Sequence, residues 1–122
     1  MKWQVLVVED DVNGQDVARG ILEHHHILVD VADDAMQALE LLRENHYTAA
    51  LIDLSLPGMS GWELLEAVQK NVATADLPCV AITAYHSPRV AKEAIEAGFA
   101  AYFPKPMNVA TLMDDLRDVL GE

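Results

Sequence analysis

The sequence has a single cysteine, little positive charge and no long apolar run. Its one cysteine, Cys79, has no partner for an internal disulfide, which fits a reduced, cytoplasmic setting. Cys79 lies in the apolar run of residues 78–82, so we expect a buried and unreactive thiol. No apolar segment approaches the length of a membrane-spanning helix, and the chain does not open with a basic region followed by an apolar one. We therefore expect neither a membrane span nor a secretory signal.

Positive charge is scarce, because 8 Lys and Arg residues stand against 20 Asp and Glu residues, for a formal net charge of −12. Proteins bind the phosphate backbone of nucleic acids through basic surfaces, so we expect no direct contact with DNA. An anionic membrane is an equally poor partner for such a chain. The acidic balance favours solubility and would concentrate divalent cations near the surface.

Five short apolar runs alternate with five segments of helical periodicity. The chain has 122 residues, of which 52% are hydrophobic, and this is enough for one domain with one core. The runs predicted as strands are residues 4–8, 27–31, 49–53, 79–82 and 100–103. Residues 49–52 are apolar without a break, which is typical of a parallel strand covered on both faces. This alternation predicts an α/β domain with a parallel sheet and helices on both faces.

Capping residues and apolar stripes predict where the five helices begin and which faces they bury. The predicted starts are Asn13, Asp33 or Asp34, Gly61, Ser87-Pro88 and Asn108. Gly98 is the predicted C-terminal stop of the fourth helix. The apolar stripes place Val17, Ile95 and Val109 toward the core in the first, fourth and fifth helices.

Polar residues stand at the ends of four predicted strands. Glu9 and Asp10 follow the first strand, Asp53 closes the third, Thr83 follows the fourth, and Lys105 comes just after the fifth. Because ligands bind beyond the carboxyl ends of parallel strands, we expect these groups in one pocket. Three carboxylates repel one another unless a cation lies among them, and a small all-oxygen ligand set suits Mg²⁺. The set predicts phosphoryl transfer to Asp53, with Thr83 and Lys105 contacting phosphoryl oxygens.

Each of these residues also has a simpler interpretation. Asp53 alone would serve as a cap for the following turn, and Glu9 with Asp10 would be exposed loop charges. Thr83 alone fits a turn, and Lys105 alone fits a surface lysine. Their shared position at the ends of the appropriate strands favours the pocket.

Four segments of the chain resemble, in order, the motifs of receiver domains in the response regulators of bacterial two-component systems. These segments are Val5-Leu6-Val7-Val8-Glu9-Asp10-Asp11, Leu51-Ile52-Asp53-Leu54-Ser55-Leu56-Pro57-Gly58-Met59-Ser60-Gly61, Ala81-Ile82-Thr83-Ala84 and Phe103-Pro104-Lys105-Pro106. The resemblance covers essentially residues 3–120 and implies a flavodoxin-like fold with strand order 2-1-3-4-5. We therefore expect residues 1–122 to form one receiver domain, with no output domain.

The resemblance implies that Asp53 accepts a phosphoryl group from the phosphohistidine of a histidine kinase or phosphotransfer protein. It implies that Mg²⁺ is bound by Asp10, Asp53 and the Ser55 backbone carbonyl, with Glu9 acting largely through water. Thr83 and Lys105 would hold the phosphoryl oxygens. Such a domain is not an enzyme acting on other substrates, since it only gains and loses its own phosphoryl group.

The resemblance also implies a switch. Tyr102 matches the aromatic residue that turns inward as Thr83 moves, although permanent packing of Tyr102 in the core is an alternative. The Lys105–Pro106 bond is a candidate cis peptide. The surface of the fourth helix, fifth strand and fifth helix, roughly residues 87–120, would contact a downstream effector protein or a second copy of the chain.

Three other functions are alternatives to that of a receiver. An aspartate-nucleophile phosphohydrolase of the haloacid dehalogenase type needs an acid two residues after the nucleophile, where this chain has Ser55. A flavin-binding protein needs a phosphate cradle after the first strand, where Glu9 and Asp10 would repel the flavin phosphate. A docking module that works without phosphorylation is the third alternative.

Overall fold

The computed structural model describes residues 3–121, which form one five-stranded parallel sheet in the order β2-β1-β3-β4-β5. This confirms the predicted α/β fold class and strand order. The strands are β1 (Gln4–Val8), β2 (Leu28–Ala32), β3 (Ala49–Asp53), β4 (Cys79–Thr83) and β5 (Ala101–Pro104). The helices are α1 (Val12–His24), α2 (Ala35–Glu44), α3 (Gly61–Lys70), α4 (Pro88–Ala97) and α5 (Leu112–Leu120).

The three central strands are buried because helices cover both faces of the sheet. Every residue of β3 and β4 is buried, as the unbroken apolar run in β3 predicts. Leu6 and Val8 of β1 pack with helices α2, α3 and α4, whereas Val5 and Val7 pack with α1 and α5. The alternation of side chains along a strand therefore divides the core into two layers.

The register of the parallel strands brings the carboxyl ends of β1, β3 and β4 to one edge of the sheet. Val8 pairs with Ile52, and Asp53 pairs with Ile82. Residues that follow these strands consequently emerge side by side, which positions the site described below. Among residues 3–121, no helix is both long enough and apolar enough to span a bilayer.

The first helix begins one residue after Asp11, and the prediction that Asn13 caps it was wrong. The Asp11 carboxylate accepts a hydrogen bond from the Asn13 backbone N–H and so takes the capping position first. Ala18 and the two apolar residues of the next turn are buried, but Val17 is 42% exposed. The true apolar stripe of α1 is therefore narrower than the sequence suggested.

The fifth helix begins at Leu112, four residues after the predicted cap. Asn108 instead forms a turn, because its side chain accepts a hydrogen bond from the Ala110 backbone N–H. This leaves Val109 67% exposed, which contradicts its predicted inward orientation. Ile95 in α4 is also exposed, at 52%, because Ala94 is the residue of that helix that is buried against the sheet.

The other predicted helix ends agree with the structure. Asp34 caps α2, Gly61 opens α3, and Ser87 caps α4 with Pro88 as its first residue. Gly98 ends α4 in the left-handed conformation with φ of 117°. Strands β2 and β5 begin one residue later than predicted, and Ile27 is held by the end of α1, where its backbone N–H donates to the Leu22 carbonyl.

Candidate functional site

Four strands bring charged and polar side chains to the carboxyl edge of the sheet. Glu9 follows β1 and is 1% exposed, while Asp53 ends β3 and is 5% exposed. Lys105 follows β5 and reaches both acids: its Nζ lies 2.5 Å from Glu9 Oε1 and 2.8 Å from Asp53 Oδ2. The pairing offsets part of the large desolvation cost of burying these charges.

The Asp53 carboxylate is held on both of its oxygens. Oδ1 accepts a hydrogen bond from the Ser55 backbone N–H at 2.9 Å, and Oδ2 faces Lys105. The chain then turns into α3, whose first residue, Gly61, donates its backbone N–H to the Leu54 carbonyl at 3.2 Å. A Cβ at Gly61 would overlap the Asp53 carbonyl oxygen and lie 2.8 Å from Leu54 Cα. The missing side chain at Gly61 therefore allows α3 to start directly against the Asp53 backbone.

The carboxyl group of Glu9 is buried and only partly hydrogen-bonded. Burial raises the pKa of Glu9 from its usual 4.5 to about 8, and the neighbouring Asp53 adds to the rise. Its second oxygen, Oε2, is buried and has no hydrogen-bond partner among the residues that the structure describes. A buried carboxylate oxygen without a partner is unfavourable, so a cation near it would stabilise the site.

The predicted acidic cluster is present at this edge. One carboxylate oxygen from each of Glu9, Asp10 and Asp53 lies within 4.8 Å of the others, and Asp10 is exposed to solvent. An oxygen-only donor set that is open on one side fits Mg²⁺, which retains several water ligands. Together with the unpartnered Glu9 oxygen, this donor set fits the ion that the sequence predicts.

Lys105 and Thr83 contribute a positive charge and a hydroxyl group to the same edge of the sheet. Burial alone would lower the pKa of Lys105, but hydrogen bonds and the charges of Asp53 and Glu9 raise it above its usual value, so the lysine stays cationic. The Lys105 backbone N–H donates to the Thr83 carbonyl at 2.8 Å. Thr83 is buried, and its hydroxyl oxygen accepts from the Tyr85 N–H, which leaves the hydroxyl hydrogen to donate elsewhere. The Lys105–Pro106 peptide bond is cis.

Two predicted residues lie outside this cluster. Ser55 is exposed and meets Asp53 through its backbone N–H. Tyr102 is half-buried and packs against the core layer of α2, α3 and α4, with its hydroxyl buried and without a hydrogen-bond partner within residues 3–121. Tyr102 therefore faces inward in this structure.

One contact at the site involves a residue that no sequence pattern marks, Gln15. The Gln15 side chain donates to the Glu9 backbone carbonyl at 2.6 Å and to Asp33 Oδ1 at 2.7 Å. It thereby joins the loop after β1 to the loop after β2. A glutamine in the second turn of a helix has no pattern that distinguishes it from a solvated residue, so only the fold reveals this role.

The raised pKa of Glu9 predicts how stability depends on pH in the metal-free protein. Between pH 4.5 and about 8, Glu9 keeps its proton when folded and loses it when unfolded. The free energy of unfolding should therefore fall as the pH rises through this range, by up to about 1.4 kcal/mol per pH unit. Urea unfolding at a series of pH values, without divalent cations, would measure this slope.

Glu9→Gln is the matched control for this prediction, because the amide retains an oxygen for Lys105 but does not titrate. The difference in stability between Glu9→Gln and the unsubstituted protein should grow with pH over the same range. Saturating Mg²⁺ should reverse the trend, since a cation favours the ionised acid. Parallel curves for the two proteins would contradict the assignment of the raised pKa to Glu9.

Residues 5–117 match the family model described as the response regulator receiver domain. The chain is 36% identical over 121 residues to the sensor histidine kinase AruS of Pseudomonas aeruginosa, covering 98% of this chain but 12% of that protein. The chain thus spans a small part of the length of this relative.

Solved structures show the same fold. A response regulator receiver domain protein of Methanospirillum hungatei superimposes with a TM-score of 0.88 at 30% identity, covering 99% of this chain and 95% of that one. The receiver domain of a sensor histidine kinase of Pseudomonas aeruginosa gives a TM-score of 0.89 at 25% identity, with 100% of both chains covered. That receiver domain holds a magnesium ion in its active-site cleft.

Proposed function

This chain belongs to the response regulator receiver family, and on that premise we propose that Asp53 accepts a phosphoryl group from the phosphohistidine of a histidine kinase or phosphotransfer protein. Receiver domains are signalling domains and bind Mg²⁺ at an acidic site. The proposed output is a change in the surface formed by α4, β5 and α5, which controls a downstream protein. The proposed setting is the reduced cytoplasm, in keeping with the single buried thiol of Cys79.

One observation carries this proposal: a buried carboxylate at the end of the central strand lies 2.8 Å from a lysine ammonium and beside two further acids. A structural ion pair would need one acid and one base. The additional acids, Glu9 and Asp10, make the site electrostatically unfavourable when all three are ionised. Without a cation Glu9 keeps its proton, and an entering cation would let all three acids ionise.

The residues have distinct proposed roles. One Asp53 oxygen attacks phosphorus as the P–N bond to the donor imidazole breaks, and the imidazole nitrogen keeps the electron pair and takes a proton from solvent. Lys105 holds one phosphoryl oxygen as a compact positive charge, and the Thr83 hydroxyl donates a hydrogen bond to another. Mg²⁺, held by Asp10, Asp53 and the Ser55 carbonyl with Glu9 acting through water, would supply charge neutralisation.

The proposed switch connects Thr83 to Tyr102. Movement of the Thr83 hydroxyl toward the phosphoryl group would change the space beside Tyr102, whose side chain already faces inward. Because Tyr102 lies in β5, its repacking would alter the surface between α4 and α5. Exposed Ile95 and Val109 near that surface offer apolar contacts to an effector or to a second copy of the chain.

The proposal is tested by incubating the protein with Mg²⁺ and acetyl phosphate and following its intact mass. We expect one added phosphoryl group, which EDTA prevents. Borohydride reduction followed by peptide mapping would place it, and we expect the modified residue to be Asp53. If the mass did not change although Mg²⁺ bound, the phosphoacceptor role would be contradicted, and a docking module independent of phosphorylation would take its place.

A further inference from the structure

Gly14 is the third residue of α1 and lies directly against the Glu9 side chain. A Cβ at this position would overlap Glu9 Oε1 and lie 2.9 Å from Glu9 Cδ and 3.1 Å from Cγ. Real Cβ atoms essentially never come within 3.0 Å of another atom, so a side chain at position 14 must displace the end of the flexible Glu9 side chain. The absence of a side chain at Gly14 thus makes the room that Glu9 occupies.

The Glu9 carboxyl group is tied to its present position by Lys105. Its Oε1 accepts a hydrogen bond from Lys105 Nζ at 2.5 Å, and Lys105 is also held by Asp53. Glu9 is 1% exposed, so we expect a displaced carboxyl group to lose its close contact with Lys105. A displaced Glu9 would therefore change both the ion pair and the acidic cluster that it forms with Asp10.

We propose that Gly14 is a positioning residue for the cation site, because its missing side chain fixes the location of the Glu9 carboxylate. The inference rests on the proposed function in that it concerns the same Mg²⁺ site. Outer-shell groups such as Glu9, which is proposed to reach the ion through water, commonly change the metal affinity by one or two orders of magnitude when they are lost. We expect Gly14→Ala to weaken Mg²⁺ binding about tenfold.

Gly20 provides a matched control within the same helix. It lies in α1, and a Cβ there would meet nothing within 4 Å. A glycine that matters only through helix propensity would behave alike at both positions, since alanine favours the helix over glycine. Gly20→Ala should therefore raise the melting temperature and leave the Mg²⁺ affinity within twofold of the unsubstituted protein.

The experiment measures the Mg²⁺ dissociation constant by calorimetry, without any phosphodonor, for Gly14→Ala and Gly20→Ala. A crystal structure of metal-free Gly14→Ala is the second measurement, and we expect Glu9 Oε1 to have left Lys105 Nζ. Mg²⁺ affinity within twofold of the unsubstituted protein, or an unchanged contact between Glu9 and Lys105, would overturn the inference.

A rescue variant covers the case in which Gly14→Ala folds poorly. Glu9→Asp shortens the acid by one methylene, so combining it with Gly14→Ala should bring the Mg²⁺ affinity back to that of Glu9→Asp alone. A loss that persists in the combined variant would count against positioning by Gly14. If the unsubstituted protein bound no Mg²⁺, the proposed function itself would be contradicted. The crystal structure of metal-free Gly14→Ala would then show by itself whether Gly14 positions Glu9 against Lys105.

Discussion

Asp53→Asn is expected to acquire no phosphoryl group from acetyl phosphate, under conditions in which the unsubstituted protein acquires one. The carboxylamide that replaces the carboxylate is not a nucleophile and cannot form the acyl phosphate. It keeps an oxygen for the Ser55 N–H and is nearly the same size, so the fold should be retained with a stability change within about 1 kcal/mol. Intact mass and thermal unfolding would be measured on the same samples.

The control for this prediction is Asp76→Asn, the same substitution at an exposed residue. Asp76 lies in the connection before β4, at the opposite edge of the sheet from Asp53. We expect Asp76→Asn to gain a phosphoryl group as the unsubstituted protein does. Phosphoryl uptake by a folded Asp53→Asn variant would show that another residue is the acceptor and would contradict the role proposed for Asp53.

Gly61→Ala is expected to lower the free energy of unfolding by about 3 kcal/mol, near the upper end of the usual cost of overpacking. The added methyl group would overlap the Asp53 carbonyl oxygen and approach Leu54 Cα, and these are backbone atoms that cannot change rotamer. Either α3 must move away from β3 or the turn after Asp53 must distort. Urea unfolding measures the change directly.

Gly20→Ala again provides the contrast, here in stability. Because that methyl group would meet no neighbouring atom, the substitution should stabilise the protein by about 0.5–1 kcal/mol through helix propensity. The two glycine-to-alanine substitutions should therefore differ in sign. Equal effects would mean that the contact between Gly61 and the Asp53 backbone is not tight enough to matter.

Strand positions were predictable because apolar continuity is a local signal. The run ending at Asp53 is buried on both faces, and the structure places that strand as predicted, at Ala49–Asp53. Helix starts were predictable where one capping residue stood alone, as at Ser87 before Pro88. They were wrong at Asn13 and Asn108: Asp11 caps α1 two residues earlier, and Asn108 forms a turn of its own, since such side chains can bond either to a helix end or to a local turn.

The residue types of the site were predictable, but their contacts were not. The strand ends brought Glu9, Asp53 and Lys105 together as expected from the order of parallel strands. That Lys105 contacts both acids, and that one Glu9 oxygen has no partner, depends on side-chain positions that no sequence period encodes. Gly14 gave no signal either, because a glycine's role here is defined by the neighbour that it accommodates.

The ion pairs of Lys105 join parts of the chain that are far apart in sequence: 96 residues separate it from Glu9, and 52 from Asp53. Closing loops of this length costs entropy before any contact repays it, so these contacts are expected to form late in folding. In a nascent or partly folded chain whose β5 has not joined the sheet, the Lys105 ammonium group is not yet beside Glu9 and Asp53. If Asp53 accepts a phosphoryl group as proposed, phosphorylation would then depend on a chain in which β5 has already joined the sheet.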